Sequence, residues 1–289
     1  MFKLFKDAFK ITNEGIILTI PLALFWLLIT FYIDFSKAVV DSYPEMILSI
    51  ITMIFMSSAF CAGWFYMVKK CVKYSKKHFI FDKDKENEAL KLLKAVPTGI
   101  GRFFLHYIVV SLLFVAITML MVFIIKFLSY SPLNQIYKIL QDNNLSVSNP
   151  QEMKLLINQM ASDSILNLFN ALLKPAAKLF LIVLTIPTVF SFLMLLWMPE
   201  IIYLFKNPFT ALFTSVVKIF KRFWKSLGLF IYIAFIQMIM SSIGTFSLIN
   251  PILYMLVMII YFYFIVYVVV LIFSYYDKEF IENRKKIKK

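Results

Sequence analysis

Six long apolar stretches constrain this chain more than any other feature. They cover residues 15–33, 46–68, 104–128, 179–204, 227–246 and 251–274. Each is close to the length of about 20 helical residues that crosses a bilayer core of roughly 30 Å. Hydrophobic residues make up 61% of the chain and charged residues 16%, against about 25% charged in an ordinary soluble domain. The sequence therefore predicts an all-α polytopic membrane protein, with 1–289 as one integral membrane domain.

The lysines and arginines predict how the chain is threaded. With the N-terminus inside, 24 of the 30 basic residues fall on cytoplasmic segments and six on the opposite face, which is the pattern of the positive-inside rule. The first apolar stretch is longer than a signal-peptide core of about 7 to 15 residues and lacks a small-residue cleavage site, so we expect it to be retained. We predict a multi-pass protein of the cell (inner) membrane with both termini in the cytoplasm.

The net charge of +14 first suggests nucleic-acid binding. The basic residues, however, lie at the ends of the predicted spans and not in one continuous patch, and the positive-inside rule already accounts for them. We therefore predict no nucleic-acid partner, and contact with anionic lipid head groups on the cytoplasmic side. A protein partner or an oligomer stays open.

A basic amphipathic pattern occurs three times. In TALFTSVVKIFKRFWK, residues 210–225, large apolar side chains fall on one helical face and basic ones on the other. Similar patterns precede the first span and, in DKENEALKLLKAVPTGIGRFF, the third. The pattern predicts three units of an interfacial helix followed by two spans, at about 1–77, 83–206 and 208–285. The predicted head-group contacts are Lys91, Lys94, Arg102, Lys218, Lys221, Arg222 and Lys225.

This triplicated pattern, with stretches such as NPFTALFTSVVKIFKRFWKSLGLF, resembles the six-span membrane domain attached to some bacterial glycerophosphodiester phosphodiesterases. It is also similar to related stand-alone six-span families of uncharacterised function. The resemblance covers most of the chain at the level of pattern and implies a six-span membrane fold. In those enzymes catalysis resides in a separate soluble barrel domain, so the resemblance implies no catalytic residue in this chain.

Glu200, in LLWMPEIIYLF, is the one carboxylate inside a predicted span. An ionisable residue in a span is a functional hypothesis by default, here a proton or cation site. Its place near the cytoplasmic end favours a structural pair with Lys206 instead. Pro187 and Pro199 fall in the same span, and each removes a backbone donor and kinks a helix. If the chain transports a solute, this kinked fourth span with Glu200 is the predicted site.

The rest of the sequence contains no pattern that dictates a reaction. No GxSxG, HExxH, P-loop or GxGxxG motif occurs. Cys61 and Cys71 would lie about 15 Å apart on a helix, too far for a disulfide, and with two distant histidines they offer no metal site. We predict no cofactor, no metal and no catalytic residue. The leading prediction is a scaffold, lipid-interacting element or accessory subunit, and the alternative is a transporter or permease.

Segment 129–174 is predicted to be the largest loop on the outer face. Asn149, Pro150 and Glu152 suit the N-cap, first and third positions of a helix, and an apolar stripe then extends to Leu172. This helix would lie on the outer membrane surface or dock on a partner.

Overall fold

The computed structural model describes residues 1–75, 82–143, 145, 162–247 and 250–282, and the regular elements in these ranges are all helical. A 3-10 turn (Ile16–Leu18) joins α1 to α2, and a π-helical turn (Asp277–Glu282) follows α9. The α-helices are α1 (Phe2–Glu14), α2 (Thr19–Val39), α3 (Tyr43–Tyr74), α4 (Asp82–Asp142), α5 (Ser162–Met194), α6 (Trp197–Leu204), α7 (Pro208–Lys221), α8 (Phe223–Ser247) and α9 (Pro251–Tyr276). The all-α prediction is confirmed.

Within the described residues, six segments are long and apolar enough to cross a membrane. They are Ile16–Val39, Tyr43–Tyr74, Leu90–Asp142, Ser164–Leu204, Phe223–Thr245 and Leu253–Glu282. Many of their apolar side chains are exposed, including Phe31, Phe123 and Met255. Surfaces of this kind suit lipid and not water. The predicted number of spans is confirmed, and each predicted stretch overlaps one of these segments.

Residue contacts divide the chain into two compact units, of which unit 1 comprises Met1–Leu113 and Phe192–Lys289. Its core is rich in aromatic rings: Phe65 stacks against Tyr107 and against Phe273, with ring centroids 5.8 Å apart in both pairs. The first helix belongs to this core, because α1 packs along α9 and Phe5 stacks on Tyr232 of α8 at 3.9 Å. Unit 1 therefore joins the beginning of the described chain to its last spans.

Helix α4 continues through Pro97 without a break, so the interfacial helix predicted before the third span is not a separate element. This part of α4 packs closely on α3. A Cβ added at Gly99 would lie 2.7 Å from the carbonyl oxygen of Ala62 and 3.0 Å from the Cα of Gly63. Small residues let two helix backbones approach closely, which holds this part of α4 against α3.

Unit 2 is Phe114–Ser191, and its described residues form two helical segments. Residues 129–142 and 162–174, predicted to be an outer loop, belong to α4 and α5. Leu140, Leu145 and Leu168 form a buried apolar cluster there. The described part of the predicted outer helix, residues 162–172, belongs to α5 and packs within unit 2 through Leu168. Its predicted start, from Asn149 to Glu152, lies outside the described residues.

The fourth span is interrupted at Leu195 and Leu196, which separate α5 from α6. Pro187 lies inside α5, where the helix continues past it. Pro199 lies in the first turn of α6, and the first N–H groups of a helix have no partner within the helix. A proline is tolerated at such a place, so the predicted kink is a break that comes just before Pro199.

Candidate functional site

A sharp reversal between α6 and α7 builds the site around Glu200. Phe205 ends α6 in the left-handed region, with φ 53°, a conformation uncommon for residues other than glycine. Asn207 then caps α7 by accepting a hydrogen bond from the backbone N–H of Phe209 at 3.0 Å, and Pro208 takes the first helical position. The indole of Trp197 donates to the carbonyl oxygen of Pro208 at 2.9 Å. These contacts bring α7 back beside α6.

Glu200 is 0% exposed, and both of its carboxylate oxygens accept hydrogen bonds from the protein. Its Oε1 accepts from Lys206 Nζ at 2.9 Å and from Thr214 Oγ1 at 2.9 Å. Its Oε2 accepts from Lys218 Nζ at 2.5 Å and from the Tyr276 hydroxyl at 2.5 Å. We call these five residues the Glu200 cluster. A buried carboxylate is tolerated when its charge is paired and its lone pairs are occupied, as they are here.

The pair with Lys206 that the sequence predicts is therefore present, within a larger network than expected. Lys218 also donates to the Tyr276 hydroxyl at 2.6 Å, and its Nζ lies 4.6 Å from the centroid of the Tyr276 ring. Since Glu200 belongs to α6, Lys218 to α7 and Tyr276 to α9, the cluster cross-links three helices of unit 1.

Most of the basic side chains in and just after α7 pair with carboxylates of the same chain. We call Lys218, Lys221, Arg222 and Lys225 the α7 basic surface. Arg222 Nη1 pairs with Glu279 Oε2, and Lys225 Nζ pairs with Glu279 Oε1 at 2.9 Å. With Lys218 on Glu200, three of the four residues of the α7 basic surface form an ion pair within the protein, and Lys221 is exposed.

A second basic group lies where α3 and α4 meet the end of α6. We call Lys69, Lys70, Lys73 and Arg102 the α3–α4 basic surface. Lys69 Nζ donates to the carbonyl oxygen of Ile202 at 2.5 Å, and a cation at a helix C-terminus is favourable. The charges of Lys73, Arg102 and Lys70 repel that of Lys69, while that of Asp277, which is 4% exposed, attracts it. The Arg102 guanidinium lies 4.9 Å from the centroid of the Phe205 ring.

The other predicted head-group contacts belong to neither basic surface. Lys91 and Lys94 are exposed on α4. Both cysteines are unpaired. In the part of the chain that the structure describes, no group of three or more His, Cys, Asp or Glu residues is placed to hold a metal ion.

An open groove of about 540 Å³ lies between α2 and α9. Its lining is apolar except for Thr19 and Tyr263, and includes Ile20, Leu24 and Ile259. It therefore offers few groups that would orient a polar ligand.

Sequence reasoning missed Thr214, Lys218 and Tyr276 as partners of Glu200. Thr214 and Lys218 are four residues apart and so share one face of α7, which is visible in the sequence. The reversal at Phe205 that turns this face towards α6 has no comparable signal, because phenylalanine rarely adopts a positive φ.

Comparison of the chain with protein-family models, with curated proteins and with solved structures gives no match. The resemblance to the membrane domain of bacterial glycerophosphodiester phosphodiesterases therefore stays a prediction.

Proposed function

We propose that this chain is a non-catalytic multi-pass protein of the cell membrane, with both termini in the cytoplasm, that acts as a scaffold or accessory subunit and contacts anionic lipids. The observation that carries this proposal is the state of Glu200. The one carboxylate in the predicted spans is buried and accepts hydrogen bonds on both oxygens. In this arrangement it stabilises the packing of three helices and leaves no lone pair directed at a solute.

Lipid contact is supported by the side of α7 that faces away from Glu200. Phe213 is 71% exposed there and Trp224, at the start of α8, is 81% exposed. Aromatic side chains of this kind are enriched at the boundary between lipid and water. With Lys221 exposed nearby in sequence, the pattern is that of an amphipathic helix lying in the cytoplasmic interface.

A transporter or permease is the second candidate, and the interrupted fourth span favours it. Broken helices build solute sites in many transporters, and here the break at Leu195 and Leu196 comes a few residues before the buried Glu200. For this function Glu200 would have to exchange its present partners for a solute or a proton during each cycle.

Flux through reconstituted vesicles separates the two candidates. We expect vesicles with the wild-type protein to pass protons and potassium ions no faster than empty vesicles, as read with a pH-sensitive dye and a potassium gradient. A wild-type flux above that of empty vesicles would establish the transporter instead, and its loss in Glu200→Gln protein that remains folded, but not in Asp34→Asn on the exposed Lys37 pair, would assign Glu200 to the transport path.

The orientation has its own test. Epitope tags at the two termini should both be inaccessible to antibody in intact cells and accessible after permeabilisation. A tag that is detected from outside would overturn the threading on which the cytoplasmic lipid contact depends.

A further inference from the structure

We propose that the α3–α4 basic surface, formed by Lys69, Lys70, Lys73 and Arg102, binds the phosphate group of an anionic phospholipid. This inference rests on the lipid contact in the proposed function. The specific lipid contact is thus assigned to α3 and α4 and not to α7. Of its four residues, only Arg102 was predicted to contact lipid.

The positive charge of the α3–α4 basic surface is not compensated by ion pairs. Among the described residues, no carboxylate forms an ion pair with any of these four side chains, and the charges of Lys70, Lys73 and Arg102 act repulsively on Lys69. Gathering like charges costs free energy, and an anion placed among them removes that cost. The buried Asp277 acts on Lys69 from one side, which leaves an excess of positive charge on this surface.

Geometry favours a phosphate as the anion. Lys69 is held in place by its bond to the carbonyl oxygen of Ile202, and Arg102 lies over the Phe205 ring. A guanidinium stacked on an aromatic ring keeps its N–H groups in the plane free to form the paired bonds that phosphate accepts. Two of the basic groups are thus positioned before a ligand arrives, which lowers the entropic cost of binding.

The exposed face of α4 beside Arg102 favours a lipid as the source of that phosphate. Leu105 is 73% exposed and Leu112 is 53% exposed, three and ten residues beyond Arg102, on the same side of the helix. Ten helical residues extend about 15 Å, half of a bilayer core of roughly 30 Å. An acyl chain can therefore lie along this apolar stripe while the head group meets the basic residues. Basic pockets between spans on the cytoplasmic side commonly bind anionic lipids.

Native mass spectrometry of the purified full chain in nonionic detergent tests the inference. Dioleoylphosphatidylglycerol is the probe and dioleoylphosphatidylcholine the neutral reference. The combined variant Lys70→Gln, Lys73→Gln, Arg102→Gln retains Lys69 and its structural bond. Each basic residue near an anionic lipid contributes about a fivefold factor, so we expect the affinity for phosphatidylglycerol to fall at least tenfold, and about 100-fold if the contributions add.

A matched control removes the same charge elsewhere. Lys3→Gln, Lys6→Gln, Lys10→Gln on α1 should change the affinity less than about threefold, because these exposed charges belong to neither basic surface and are screened by salt. An equal loss in the two triple variants would mean that only net charge matters and would overturn the site. The exchange Lys70→Arg, Lys73→Arg keeps Arg102 over the Phe205 ring and should bind lipid and elute like the wild type. Loss of binding in this folded, charge-retaining variant would also overturn it.

Two further measurements distinguish a failure of this inference from a failure of the proposed function, and a lipid from a soluble phosphate ester. If Lys221→Gln, Arg222→Gln, Lys225→Gln abolishes lipid binding and the α3–α4 triple does not, lipid contact stands but this site is wrong. If the wild type does not prefer phosphatidylglycerol over phosphatidylcholine, both proposals fail. Displacement of the lipid by glycerol 1-phosphate at equal concentration would identify a soluble phosphate ester as the ligand and overturn the lipid.

Discussion

On the α7 basic surface, Lys218, Arg222 and Lys225 each lie against a carboxylate of the same chain, whereas on the α3–α4 basic surface no such pair forms within the described residues. The two groups look alike in the sequence, as basic residues close to a span. Their difference arises from distant segments, because Glu279 is 57 residues from Arg222 along the chain. Basic residues are therefore available to a ligand only where the fold does not place a carboxylate of the same chain against them.

The difference also separates stability from binding. A paired and buried charge contributes to the fold, and removing one partner leaves the other uncompensated. An unpaired charge at the surface contributes little to the fold but can contribute to affinity. We therefore expect substitutions on the two surfaces to affect different measurements.

Removing Glu200 should have the largest effect, because it leaves Lys206 and Lys218 without their carboxylate. We expect Glu200→Gln to reduce the free energy of unfolding by about 3 to 5 kcal/mol, as for other broken buried ion pairs. The measurement is reversible unfolding in mixed micelles. Asp34→Asn is the control, since its pair with Lys37 is more than two-thirds exposed and should cost no more than about 0.5 kcal/mol. Equal losses in the two variants would contradict a structural role for the cluster.

Separating α4 from α3 should disturb the α3–α4 basic surface, because its residues lie on both helices. At Gly99 a Cβ would meet the carbonyl oxygen of Ala62 and the Cβ of Tyr66, each at 2.7 Å. We expect Gly99→Ala to cost about 1 to 3 kcal/mol as an overpacked contact and to weaken lipid binding by moving Arg102 away from Lys69.

The neighbouring glycine on the same helix supplies the control. A Cβ added at Gly101 meets nothing within 4 Å, so Gly101→Ala should be neutral or stabilising by up to about 1 kcal/mol. If the two variants unfold at the same denaturant concentration, the helices are not in close contact at Gly99.

Removing Glu279 should make the α7 basic surface resemble the α3–α4 basic surface, because Arg222 and Lys225 would no longer form ion pairs with it. In Glu279→Gln, Arg222 and Lys225 lose their shared carboxylate, which we expect to cost about 1 kcal/mol because both basic side chains are partly solvated. Affinity for phosphatidylglycerol should rise by about five- to tenfold as these charges become available. Lipid affinity is measured by native mass spectrometry. An unchanged affinity would refute the view that pairing with Glu279 prevents Arg222 and Lys225 from binding lipid.

The smallest effect is expected at Lys225, whose side chain is 52% exposed. Because Arg222 would still pair with Glu279, Lys225→Gln should change the free energy of unfolding by no more than about 0.5 kcal/mol. A loss above about 1.5 kcal/mol would show that the pairing with Glu279 is a coupled network and not a set of separate contacts.

The spans could be predicted from the sequence because each depends on local composition. About 20 apolar residues in a row satisfy their own backbone hydrogen bonds as a helix and need only lipid around them. The same reasoning predicted the wrong boundaries in segment 129–174, because residues 129–142 belong to α4 although they are polar enough to suggest a loop, while residues 162–172 are helical as predicted. They stay helical because Leu140 and Leu168 are buried in one cluster, a contact between distant residues.

Only part of the Glu200 cluster could be predicted, because only part of it is formed by residues close together in the sequence. Lys206 is six residues from Glu200, so the pair follows from short-range geometry. Tyr276 is 76 residues away, and Lys218 reaches Glu200 only because Phe205 adopts a positive φ. Nothing in the local sequence indicates either event.

The packing of α1 along α9 has a consequence for how the protein is made. Tyr263 of α9 donates a hydrogen bond to Asn13 of α1, across 250 residues of sequence. At about 5 to 20 residues per second, the ribosome needs roughly 10 to 50 s to travel that distance. During this time α1 lacks its main partner, and its apolar side chains Leu4, Ala8 and Ile11 have no α9 to pack against. Assembly of unit 1 thus finishes only after α9 has been synthesised.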